Sequence, residues 1–72
     1  MKRIKKGDYV VWKWASGLGR GLVQDVRTEM TAIESKGKTI IRSGSPDNPA
    51  IIIEDHNGVS VLKRANEVDK VS

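Results

Sequence analysis

The sequence predicts an all-β domain: a small barrel of five short strands, with at most one short 3-10 turn near the C-terminus. Runs of β-branched and aromatic residues recur along the chain, each no longer than a strand. Gly, Pro, Asn and Asp cluster between the runs, as turns require. No stretch shows the spacing of an amphipathic helix. A sheet this short exposes its edges unless it curls closed, and a barrel is the natural solution.

Residues 9–14, Tyr-Val-Val-Trp-Lys-Trp, form the first strand, entered through the turn pair Gly7-Asp8. Alternation puts Val10, Trp12 and Trp14 on one face and Tyr9, Val11 and Lys13 on the other. The core grows from this strand, with Trp12 inside it and Trp14 beside the glycines that follow. Before it, Lys2, Arg3, Lys5 and Lys6 make a cationic leader around Ile4, which is placed to tuck against the sheet. Gly17, Gly19 and Gly21 read as a hairpin loop whose backbone packs closely under Trp rings. They do not read as a phosphate loop, because no Lys-Ser/Thr pair and no helix follow.

Residues 22–28 read as the second strand. The spacing of Val23 and Val26 breaks alternation by one residue, and a β-bulge returns both to the core. Residues 29–34 fit either an extension of this strand or a turn, and residues 35–38 a polar turn. Residues 39–42 are a short β-prone run. Residues 43–49, Ser-Gly-Ser-Pro-Asp-Asn-Pro, form a restrained loop. Residues 50–54, with three consecutive Ile, are a strand. Asn57-Gly58 turns the chain into residues 59–63, with Glu54 opposite either Val61 or Val59. Residues 64–67 resemble one helical or 3-10 turn, and residues 68–71 can close the sheet against the first strand. The expected core is Val10, Trp12, Val23, Val26, Ile51, Ile53, Val61 and Val68.

The order of these signals resembles a known family. Lys6-Gly7-Asp8-x-Val10-x-Trp12 opens the pattern, then Gly19-x-Gly21-x-Val23-x-x-Val26, Lys36-Gly37-Lys38-Thr39, Ser45-Pro46-Asp47-Asn48-Pro49-Ala50, and Lys63-Arg64 before Glu67-Val68. The chain is similar, from about Ile4 to Val71, to small bacterial domains grouped with a fungal hypervirulence-associated protein under a Tudor-like label. The resemblance implies an SH3-like, Tudor-like barrel and supplies no catalytic residues. The chain departs from the pattern at Trp14, in its Gly-richer first loop, and at Ile51, where an aromatic is common.

Seventy-two residues make one domain, 1–72, with residues 1–5 as the basic leader. A chain of this size hides only about 60% of its unfolded surface, leaving little room for a catalytic pocket. No carboxylate pair, catalytic triad or metal-ligand spacing stands out, and His56 reads as turn decoration. The expectation is therefore a non-enzymatic module with no cofactor and no metal. The absence of Cys fits a cytoplasmic setting. The run at residues 50–53 is too short to span a bilayer, so no membrane partner is expected. A monomer or weak dimer is expected.

The net charge of +4 favours anionic partners without requiring them. The primary reading is binding of a protein segment or other polar ligand through the loops, with Trp14, Arg20, Asp47 and Asn48 as the contact residues. The alternative is a nucleic-acid-binding barrel. In it Lys36, Lys38, Arg42, Lys63 and Arg64 touch phosphates and Trp14 stacks on a base. An aromatic cage is not expected, because Tyr9, Trp12 and Trp14 lie on one strand with Tyr9 facing away.

Overall fold

The computed structural model describes residues 3–71; Lys2 of the leader lies outside them. Its strands are β1 (Tyr9–Trp14), β2 (Gly17–Arg27), β3 (Met30–Ser35), β4 (Lys38–Ser43), β5 (Ala50–Asp55), β6 (Ser60–Arg64) and β7 (Asp69–Lys70), with a 3-10 turn at Ala65–Glu67. They form one sheet in the order β6-β5-β2-β1-β7 and a separate β3-β4 hairpin. The chain is all-β, as expected. The closed five-stranded barrel is corrected: the described residues form seven strands in two sheets, and among them no ladder joins β6 to β7.

Of the two strands beyond five, β3 has a local cause, and β7 is the expected pairing of residues 68–71 with the first strand. Residues 30–35 neither extend β2 nor turn; they pair with β4 around Lys36-Gly37, both at positive φ. That left-handed pair matches the twist of a two-residue hairpin. β7 exists because Lys70 and Asp69 reach Val10 and Val11 of β1.

The main sheet still curls. β6 and β7 are its outer strands, which in a flat sheet would lie about 19 Å apart. Four residues link them, three in a 3-10 turn rising about 2 Å each, for a reach of roughly 12 Å. The link fits only if the sheet bends its edges together. Its turn is fixed by the Glu67 carboxylate, which accepts the Arg64 N–H at 2.8 Å.

The curl encloses Ile4, Val10, Trp12, Val23, Ile51, Ile53, Ala65 and Val68, with Val26 and Val61 packed against them half-buried. Every expected core residue faces this interior. The bulge falls where the spacing put it, at Gln24: Val23 pairs with Ile53, Val26 with Ile51, and the register shifts between them. Leu62 pairs with Ile52 and is buried on the opposite side of β6, where β3 and β4 pack. Ser35 Oγ ties that hairpin down by donating to the Ser60 carbonyl at 2.7 Å.

Two further expectations are corrected. Gly17, Gly19 and Gly21 are strand residues of β2, and only Ala15-Ser16 turn. Glu54 faces Ser60, so neither proposed register holds. The loop between them is closed by the Asp55 carboxylate, which accepts N–H bonds from Asn57 (2.8 Å) and Val59 (2.9 Å). Such Asx bonding competes with the tight turn that Asn-Gly favours.

Candidate functional site

β2 is eleven residues long, and at about 3.3 Å per residue it is longer than the 27 Å molecule, so it crosses from one end to the other and bends on the way. The four nominated contact residues are distributed along it. Trp14 pairs with Gly17 at its start. Arg20 pairs with Val11 and so lies on the face opposite Trp12 and Trp14. Asp47 and Asn48 lie beyond its far end, in the loop before Ala50, which pairs with Arg27. The structure therefore does not bring Trp14, Arg20 and the 43–49 loop to one surface.

At the hairpin end, Trp12 and Trp14 share a face but not a fate. Trp12 is 8% exposed and lies on Gly19, its partner across the ladder. A Cβ built on Gly19 would stand 2.4 Å from the indole Cε2, so the ring occupies the space a side chain would need. Trp14 is 57% exposed, and a Cβ on Gly17 would meet nothing within 4 Å. Its ring does not cover its glycine.

At the far end, a cavity of about 290 Å³ opens between the leader and the 43–49 loop. Ile4, Val26, Pro46 and Pro49 line it, with Arg3 and Asp47 supplying opposite charges. Its loop wall is preformed. Ser45 and Asn48 exchange backbone bonds, the Pro49 carbonyl accepts the Ala65 N–H at 2.9 Å, and Asn48 Oδ1 accepts the Asn66 N–H at 2.8 Å. The Asn48 side chain is thus engaged in holding the loop, while Asp47 lines the cavity. Sequence reading singled out the loop but missed Arg3, Val26 and the two Pro as lining residues; Val26 was legible only as core. Arg20 lines a second hollow of about 240 Å³ with Tyr9, Leu22, Glu54, Asp55 and His56.

The nominated phosphate contacts divide as well. Arg42 and Arg64 converge on the Glu67 carboxylate, at 3.9 and 3.8 Å. Lys63 is half-buried on the core face of β6, opposite Ile51. Lys36 lies in the β3–β4 turn and Lys38 opens β4.

Three carboxylates are held below their usual range by structural partners. Bonds from the Val59 and Asn57 N–H groups lower Asp55. The Lys5 N–H lowers Asp8 most, desolvation opposes it, and Lys70 at 3.4 Å adds to the lowering. Arg27, then the Val26 N–H, lowers Asp25.

A sheet curled around one indole makes this a small all-β domain. Residues 7–68 match the family model described as Hypervirulence associated proteins TUDOR domain, and the chain belongs to that family. No curated protein and no solved structure matches it.

Proposed function

We propose that the chain is a non-enzymatic binding module that takes an aromatic side chain of a protein segment in the cavity beside the 43–49 loop. The observation that carries this is the preformed apolar hollow of about 290 Å³. It sits at the bottom of the roughly 300–1,000 Å³ range of small-molecule sites and suits a single side chain. The Pro46 and Pro49 rings offer flat apolar surfaces, and Arg3 and Asp47 offer one partner each to the polar backbone of the segment. The nucleic-acid alternative draws less support, because two of its five cations share Glu67.

The test is an amide NMR titration with N-acetyl-phenylalaninamide, N-acetyl-alaninamide and oligothymidine. The phenylalanine compound is expected to shift Ile4, Val26, Thr28 and Ala65 saturably, and the alanine compound to leave them in place. Thr28→Trp, which fills the cavity, should abolish the shifts. Shifts confined to other surfaces overturn the reading. Salt-sensitive shifts at Lys36, Lys38 and Lys63 with oligothymidine would establish the alternative instead.

A further inference from the structure

The end of the β1–β2 hairpin extends beyond the rest of the sheet. β7 reaches only Val10 and Val11, and β5 pairs with β2 only from Gly21 onward, so among the described residues no strand pairs with residues 12–20 on either outer side of the hairpin. Two large apolar side chains are exposed there, on opposite faces. Trp14 lies on the Trp12 face, and Leu18, opposite Lys13, lies on the other and is 68% exposed. Between them Ala15, Ser16 and Gly17 are small, uncharged and exposed. Just behind the tip stand Lys13 and Arg20, also exposed. Residues 9–24 contain no Asp or Glu.

A flat protein surface, or a strand laid in a groove, meets one face of such a ribbon and leaves the other in water. An occupant that contacts Trp14 and Leu18 together must surround the tip. A water–lipid interface does so: indoles settle at headgroup level, aliphatic side chains below them, and cations beside anionic headgroups. The geometry points to a membrane-surface contact, in which residues 14–18 insert into the headgroup region of an anionic bilayer while Lys13 and Arg20 meet its phosphates. Among the described residues no helix is long and apolar enough to cross a membrane. A surface contact needs none. The expectation of no membrane partner rested on the lack of a span and does not bear on this mode. The contact lies at the opposite end of β2 from the cavity, so either proposal can fail alone.

The experiment is co-sedimentation of the full chain with vesicles of phosphatidylcholine alone and with about a third replaced by phosphatidylglycerol. Binding is expected only with the anionic vesicles, with a blue shift of Trp14 emission and quenching by brominated lipid; buried Trp12 should not respond. Trp14→Ala should weaken partition about tenfold. Leu18→Ser should weaken it while leaving Trp14 as reporter. Lys13→Glu should weaken it about fivefold or more. No sedimentation with anionic vesicles in excess overturns the proposal. So does sedimentation unaltered by both Trp14→Ala and Leu18→Ser. A Trp14 response to oligothymidine without one to vesicles assigns the tip to nucleic acid and overturns it too.

Discussion

Trp12 and Trp14 stand two residues apart, on one face of one strand, each opposite a glycine. One is at the centre of the fold and the other is mostly in water. What separates them is distance from the core. Both stand past the last residue that β7 or β5 reaches, Trp12 by one position and Trp14 by three. Trp12 still belongs to the buried cluster with Ile4, Val10, Ala65 and Val68, and Trp14 does not. Burial of an aromatic here follows from how far its position lies from that cluster, and strand composition alone does not set it.

The largest test of that contrast is Trp12→Ala against Trp14→Ala. Losing the buried ring should cost about 3–5 kcal/mol. A domain of this size holds only about 4–11 kcal/mol in all, so the variant should be largely unfolded by circular dichroism. Losing the exposed ring should change stability by no more than about 0.5 kcal/mol. Equal losses would erase the distinction.

Asn48→Ala extends the comparison to the other end of β2. It removes one of the two bonds that hold the 43–49 loop to the 3-10 turn, and thermal unfolding should report a loss of about 1 kcal/mol. At about 4–8 °C per kcal/mol the shift is readily measured. A loop that needs no such tie would show none.

Acid should act at both ends together. Asp8, Asp25 and Asp55 have folded-state values below the unfolded carboxylate value of about 3.9. A lowered folded value contributes stability that is complete above the unfolded value and is lost as pH falls through the folded one. Urea midpoints should therefore stay flat from neutral pH to about 5 and decline below about 4. Asp55→Asn should blunt the decline. A midpoint that rises on acidification would contradict the assignment of these carboxylates.

Much of this fold was legible because it rests on local chemistry. The Gly7-Asp8 turn, the bulge between Val23 and Val26, the Ile-rich β5 and the 3-10 turn follow from residue type and spacing, and so does the core. The β3–β4 hairpin was not legible: Met30 and Ile33, three apart, suit neither a clean strand nor a helix, and Lys36 at positive φ is an uncommon turn residue. The missing closure was not legible: the turn at residues 64–67 was expected, but among the described residues the strands on either side of it form no ladder, and β7 pairs with β1. The site was legible only in pieces. Spacing exposed Trp14 and the Pro loop as unusual, but nothing in the sequence states that an eleven-residue β2 carries them to opposite ends. The capture of Arg42 and Arg64 by Glu67 is likewise a contact across elements, invisible to a linear reading.

The fold stands on an indole occupying the space above one glycine and leaving the next one bare. Denaturant unfolding of Gly19→Ala beside Gly17→Ala tests this most directly. A methyl group at Gly19 must displace the Trp12 ring and should cost about 1–3 kcal/mol. At Gly17 it meets open space and should change stability by no more than about 0.5 kcal/mol, or raise it slightly. Equal losses at the two positions, or a tolerated Gly19→Ala, would contradict the account.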